Sequence, residues 1–318
     1  MSPTVKAVVG DVGGTNARFA VADRSEAGAL VLHHPQQFAV SAFGSFEEAL
    51  RAYITTLDDM PDLAAFALAG PKRGDTVRMT NVDWSVSERG LEKAFGLSQV
   101  QLVNDFGAMA RGVTVMSDES FGTVLPGTFD PSKPIAVLGP GTGLGVAGIL
   151  PGQPPTILST EGGHTGFSPA SALEDELLAF WRARIPFVSA ETLISGPGLF
   201  RIYAALCEIE GVSKRQKTEA EVVAAAQADA SSVSRRAAVA FCAMLGTFAA
   251  NTCLTLGAGS VVLAGGVTRH VAPFMAESPF ATRFRERGES SAYLADVPVR
   301  RIRARFAPLY GAAAMVLG

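Results

Sequence analysis

The chain has 318 residues, 48% hydrophobic and 18% charged, the balance of a folded chain long enough for two domains and not of a disordered one. Lys and Arg number 27 against 30 Asp and Glu, a formal charge of −3, so the basic excess that nucleic acid or an anionic membrane surface calls for is missing. The 3 cysteines, Cys207, Cys242 and Cys253, form no CxxC pair; this excludes a disulfide framework and a thiolate zinc site and fits a reducing cytoplasm.

The run up to Asp11 has neither the length nor the cleavage pattern of a secretory signal. It reads as a β-branched strand, Val5–Asp11, that enters Val12-Gly-Gly-Thr-Asn16; Arg18–Ala22 is a second strand joined to it by a tight glycine turn. Phe46, Leu50 and Ile54 share one helical face over 46–57. Leu63–Pro71 reads as a buried strand stopped by Gly-Pro, and 88–95 as a short helix. Val100–Val103 is a strand that delivers Asn104-Asp105 to a helix over 106–112. Between Met116 and Pro134 a Gly/Pro/Ser/Asp-rich stretch with little periodicity reads as a connection between domains or a flexible excursion.

The opening pattern then returns, with a strand over 135–138, a glycine turn over Gly139–Gly145 and a strand over 146–150. Strand, turn, strand occurring twice implies two α/β halves facing a shared ligand. Helices follow over 173–184 and from Gly196 through Cys207, then a long Ala-rich helix, and Val261–Val267 reads as a third strand ending in a glycine pair. The uncharged stretch from Ala237 to Thr268 exceeds the ~20 residues of a membrane span. Thr247, Asn251, Thr252 and Thr255 interrupt it and Gly257–Ser260 ends it, so it reads as a buried helix and strand of a soluble chain. The alternation predicts α/β layers with ligands at the carboxyl ends of strands.

Four clusters can carry chemistry. In Asp11–Asn16 the glycines permit a turn and the close approach of backbone N–H groups to phosphates, Thr15 adds a hydroxyl, and Asp11 can hold Mg²⁺ directly or through water. A plain hairpin explains the glycines but not Asp11, Thr15 and Asn16 together. Gly139–Gly145 is neither a dinucleotide fingerprint, whose third glycine would fall on Leu144 or Val146, nor a Walker A loop, since no GK[ST] follows. Asp105 can accept the proton of a hydroxyl that attacks phosphorus, or can simply cap the following helix, which spacing alone favours. Glu161, His164 and Glu191 can cage a polyol. A single His with a Glu three residues earlier is poor metal-site evidence. His33, His34 and His270 read as surface residues.

Taken in order, DVGGTNARFA (11–20), LVNDFGAMA (102–110), GPGTGLG (139–145), EGGHTGFSP (161–169), VSAETLISGPGL (188–199) and VVLAGG (261–266) resemble the bacterial glucokinases of the hexokinase/actin-like ATPase superfamily. The resemblance covers nearly the whole chain from Asp11. It implies an α/β protein of two actin-like (ribonuclease H-like) domains with a cleft between them: a small domain of residues 1–114 plus 305–318, closed by a C-terminal helix within Ala307–Leu317, and a large domain of residues 115–304. It implies ATP-dependent phosphorylation of the 6-hydroxyl of glucose, the first step of glycolysis, by a cytoplasmic homodimer that uses Mg²⁺ and binds neither nucleic acid nor membrane.

Carried over by motif, Asp105 is the general base, and Asn104, Glu161, His164 and Glu191 hold the other sugar hydroxyls. Asp11, Gly13, Gly14, Thr15 and Asn16 form the first phosphate loop, with Asp11 towards Mg²⁺; Gly141, Thr142 and Gly143 form the second, and Gly265 and Gly266 the adenosine side. No cysteine lies near Glu161, so the zinc cluster of the related repressor/open-reading-frame/kinase sugar kinases is not expected. The short run before Asp11 leaves no room for the helix-turn-helix of that group's repressors. The alternatives are a kinase of fructose, mannose or an amino sugar, a nucleotide-driven chaperone or filament former, and a sugar-sensing regulator without catalysis. The acidic cage disfavours carboxylate acceptors but does not separate epimeric sugars.

Overall fold

The computed structural model describes residues 5–318. They form two compact units, one made of the chain up to Ser120 together with Ala304–Gly318, the other of Phe121–Arg303. The first unit contains β1 (Ala7–Val12), β2 (Asn16–Arg24), β3 (Leu30–Ala39), α1 (Phe46–Ile54), β4 (Leu63–Leu68), β5 (Lys72–Arg73), β6 (Thr76–Arg78), β7 (Ser85–Ser87), α2 (Glu88–Phe95), β8 (Gln99–Asn104) and α3 (Asp105–Val113). The second runs through β9 (Phe121–Leu125), β10 (Ile135–Pro140), β11 (Leu144–Leu150), β12 (Thr156–Thr160), α4 (Ala172–Arg182), α5 (Ala190–Leu193), α6 (Gly196–Ile209), α7 (Glu219–Ala228), α8 (Val233–Leu256), β13 (Ser260–Leu263), α9 (Gly266–Met275), α10 (Phe280–Arg285), α11 (Ser291–Leu294) and β14 (Val299–Ile302). The chain then returns to the first unit as α12 (Ala307–Val316).

Both units are built on one sheet plan. The first orders its strands β3-β2-β1-β4-β8, the second β12-β11-β10-β13-β14-β9. In each, three antiparallel strands are followed by two that run parallel to the third. The second adds β9 antiparallel at its edge, and β5–β7 make a separate small sheet.

The reason lies in the side chains. β1 (AVVGDV) is buried throughout, as a strand covered on both faces must be. Its alternate residues feed two cores. Val8 and Val12 join Phe19, Phe46, Tyr53 and Phe66 under α1, whereas Ala7 and Val9 join Ala20, Ala22 and Ala65 against Leu309, Ala312 and Ala313 of α12. The small residues on that second face let α12 lie close. It crosses α3 so tightly that a Cβ on Gly311 would run into the carbonyl of Ala108, and one on Gly112 would sit 2.6 Å from the carbonyl of Ala307. This crossing seats α3, and with it Asp105.

In the second unit α8 is long and apolar enough to span a membrane by length and composition, and 78% of its apolar stretch is buried inside the protein. Phe241, Leu245, Ala249 and Cys253 are all fully buried, so it is the core helix the sequence implied.

Two expectations are corrected. The strand expected over Val261–Val267 ends at Leu263; Gly265 then adopts a positive φ of 81° and Gly266 starts α9. The stretch from Met116 to Pro134 is not all connection, because Phe121–Leu125 forms β9 on β14. Its partners lie far downstream, so no local period announces it.

Candidate active site

In the first unit β1, β4 and β8 run parallel with Val12 beside Leu68 and Leu68 beside Asn104. The glycine turn after β1 and the Asn104-Asp105 pair therefore share the carboxyl end of the sheet, two strand spacings or about 10 Å apart. Asp11 is buried at 7% exposure and its Oδ2 accepts a hydrogen bond from Arg18 Nη1 at 2.8 Å. Arg18 is its register partner across the hairpin. Burial raises the Asp11 pKa, with the Arg18 charge and hydrogen bond pulling the other way. Within the turn Gly13 N–H donates to the Asn16 carbonyl at 3.0 Å, and Asn16 Oδ1 accepts from Gln37 Nε2 at 2.9 Å. Thr15 is exposed. Beside Gly13 nothing lies within 4 Å of a built Cβ, whereas Gly14 has Asn81 Cβ at 2.5 Å behind it. One glycine backs onto protein and the other faces open space.

The cap of α3 is Asn104, not Asp105. Its Oδ1 accepts from Phe106 N at 3.0 Å and Gly107 N at 3.1 Å, which leaves the amide N–H₂ as the Asn104 donor for a ligand. Asp105 is the first residue of α3, half-buried, with Oδ1 accepting from Phe106 N at 2.8 Å.

In the second unit the β10–β11 turn is closed by Gly141 N–H on the Gly143 carbonyl at 2.8 Å. The Gly141 carbonyl accepts from Gly196 N at 2.7 Å, so the N-terminus of α6 abuts this turn. Ser195 caps that helix by accepting from Gly198 N at 3.0 Å. Glu191 reaches the turn from α5, and its Oε2 accepts from Leu144 N at 2.8 Å. Gly143 has to lack a side chain, since a Cβ there would stand 2.5 Å from that Oε2. The other oxygen, Oε1, lies 4.0 Å from His164 Nδ1, and His164 Nε2 lies 3.8 Å from Glu161 Oε2. Glu161, His164 and Glu191 thus form one line of polar groups running out from the glycine turn, from 31% exposure at Glu191 to 90% at Glu161.

Gly265 comes to the same turn from β13. Its positive φ and its closeness to the Pro140 carbonyl leave no room for a Cβ, and α9 begins at Gly266. Two helix N-termini, of α6 and α9, and the turn's own amides converge there, an arrangement suited to phosphate oxygens. His270 of α9 pairs with Glu219 of α7 at 3.6 Å, and a Cβ on Gly196 would collide with that Glu219 carboxylate. Glu219 borders the turn and was missed in the sequence, where it carries no motif; His270, read as a surface residue, is exposed and meets Glu219 from outside. The only signal of Glu219 is helical placement. His33 pairs with Asp23 at 3.0 Å, and His34 is exposed.

The two glycine turns thus fall at matching positions of two sheets with one strand plan, and known proteins match the chain along its length. The glucokinase family model matches residues 8–317. A glucokinase of Saccharophagus degradans is 38% identical over 310 residues, covering 96% of this chain and 97% of its own. Among solved structures, a glucokinase from an Antarctic psychrotroph superimposes with a TM-score of 0.87 at 33% identity, over 98% of both chains. A Streptomyces griseus glucokinase solved with glucose and AMPPNP shares the fold at a TM-score of 0.67 and 19% identity, over 98% of both chains. Two α/β units of actin-like (ribonuclease H-like) fold, a match along almost the whole chain and a full-length relative at this identity leave one assignment: the chain belongs to the glucokinase family.

Proposed function

We propose that the chain, as a glucokinase, transfers the γ-phosphoryl group of ATP to the 6-hydroxyl of glucose with Asp105 as general base. The observation that carries this reading is the Glu191 carboxylate, which holds Leu144 N–H of a glycine turn with one oxygen and faces His164 with the other. A group that orients sugar hydroxyls and a loop that cradles phosphates are thereby joined by a single side chain.

In this reading Glu161, His164 and Glu191 take sugar hydroxyls as donors and acceptors, and Asn104 donates its amide N–H₂. Asp105 accepts the 6-hydroxyl proton as that oxygen attacks phosphorus. The turn amides at Gly13–Thr15 and Gly141–Gly143, with the Thr15 and Thr142 hydroxyls, stabilise charge on the phosphoryl oxygens. Gly265 and Gly266 flank the adenosine. Asp11 suits Mg²⁺ through water: Arg18 occupies Oδ2, leaving Oδ1, and Mg²⁺ commonly keeps most of its waters beside one or two carboxylates. When bound with the nucleotide, the metal supplies positive charge to the phosphate oxygens. We also place the enzyme in the cytoplasm as a homodimer; the family's bacterial members and three buried free cysteines support the first, and sedimentation tests the second.

The test is sugar-dependent ADP production from a panel of hexoses, with Asp105→Asn as control. Glucose should be the best acceptor, and kcat should fall at least ~10²-fold in the variant, the lower range for loss of a general base, while glucose affinity changes little. Near-normal turnover by the variant would remove Asp105 from the chemistry, and a better acceptor than glucose would reassign the sugar.

A further inference from the structure

Glu191, the side chain that holds the Leu144 amide, sits on a helix that cannot hold itself. α5 has 4 residues, a single turn, and a first turn fixes several backbone angles in return for one hydrogen bond. Where Glu191 points is therefore decided by what holds the two ends of α5. At the start, Ala190 N–H donates to the Thr165 carbonyl at 2.8 Å. Ser189 and Thr192 add a reciprocal capping box, each side chain accepting from the backbone N–H of the other.

At the far end stands Ser195, 1% exposed. Its hydroxyl donates to the Glu191 carbonyl at 2.8 Å, and its Oγ accepts from Gly198 N–H at 3.0 Å. One oxygen thus serves an end carbonyl of α5 and an end N–H of α6, groups that have no partner within their own helices. The next residue, Gly196, donates to the Gly141 carbonyl of the glycine turn. Such a hydroxyl occurs elsewhere in the unit: Ser232 caps α8 by accepting from Arg235 N–H at 3.1 Å while donating to the Asp229 carbonyl at 2.7 Å. What differs is the partner. Asp229 is exposed, whereas Glu191 carries the carboxylate that holds Leu144 and faces His164.

We propose that Ser195 is a positioning residue for sugar binding: its hydroxyl fixes the backbone of Glu191, so that one carboxylate oxygen reaches the Leu144 amide and the other is presented to the sugar. Ser195 acts through Glu191 and not on substrate, and its role rests on the sugar reading of Glu191 above.

The test compares Ser195→Gly with Ser232→Gly in the full-length protein. Glycine is an accepted helix N-cap, so both variants should keep the wild-type circular dichroism; they differ in which carbonyl loses its hydroxyl donor. Hydrogen exchange at the Leu144 amide should quicken at least ~3-fold in Ser195→Gly, as for loss of one hydrogen bond, and stay as in wild type in Ser232→Gly. The glucose KM should rise at least ~3-fold in Ser195→Gly alone. Ser195→Thr, which keeps the hydroxyl, should return both readouts to within ~2-fold of wild type. Unchanged exchange or an unchanged KM in Ser195→Gly, equal changes in Ser232→Gly, or a folded Ser195→Thr that behaves like Ser195→Gly overturns the proposal. Glu191→Ala tells that failure from failure of the sugar reading. A glucose KM raised by Glu191→Ala but not by Ser195→Gly removes Ser195 alone, whereas a KM unchanged in Glu191→Ala removes Glu191 from the sugar, and the proposal with it.

Discussion

The two glycine turns share one backbone plan, with charge drawn from different distances. In the first, Val12 and Ala17 close the hairpin and the acid is local: Asp11 sits one residue before the end of β1, opposite Arg18. In the second, Pro140 and Leu144 close the hairpin, and the corresponding position is Gly139, opposite Gly145. Its acid arrives from α5, where Glu191 takes the Leu144 amide. The backbone cradle is common to both units, but the electrostatics of one belong to a hairpin and those of the other to a tertiary contact. The local pair joins residues of one hairpin, whereas the imported acid lies 47 residues from the amide it holds.

The largest effect should come from breaking the first unit while sparing the second. Gly311→Ala puts a methyl into the Ala108 carbonyl at the α3–α12 crossing, an overpacking that costs ~1–3 kcal/mol or more. Urea unfolding should show an early loss of the first unit, and kcat should drop with it because α3 carries Asp105. A single transition at the wild-type midpoint would show that the helices part freely.

Next comes the imported acid. Gly143→Ala should push Glu191 off the Leu144 amide, losing the ~1.5–3 kcal/mol of a hydrogen bond to a charged group, or roughly 10- to 100-fold in kcat/KM. Wild-type kinetics in this variant would make the Glu191 contact incidental.

The local acid should show itself through pH. Because burial raises the Asp11 pKa, the folded chain holds that proton more tightly than the unfolded chain. Stability therefore falls as pH rises from the ordinary carboxyl value through the raised one. Asp11→Asn removes the titration, so its stability relative to wild type should improve from pH 4 to pH 7 in urea melts, while turnover drops. A constant difference across that range would mean that Arg18 fully offsets the burial.

The smallest effect separates a phosphate loop from a plain hairpin. Gly13→Ala meets no atom of the protein within 4 Å, so stability should stay within ~0.5 kcal/mol, as for an unconstrained surface change. The KM for ATP should nevertheless rise at least ~3-fold, because a methyl would stand where phosphate oxygens approach backbone amides. An unchanged KM would leave the turn without a ligand.

Legibility followed the range of the interactions. The strand 135–138, the helix 88–95 and the glycine turns were readable because their periods and turn residues are local. The helix after Asp105 was readable too, but its cap was misassigned: the choice between Asn104 and Asp105 depends on the φ and ψ at which β8 hands over to α3. β9 and β14 were missed, each being a short run stabilised mainly by a distant strand. Glu219 was missed for the same reason.

By itself, then, the amino-acid order determined two turns able to approach phosphates, an acid at the head of a helix, and a family likeness running from Asp11 onward. Backbone freedom, side-chain chemistry and spacing suffice for these. Only the tertiary structure decided that Glu191 lies on the second turn and that His164 stands between two carboxylates. Those facts depend on which distant surfaces pack together, and packing is set by the summed burial of many residues.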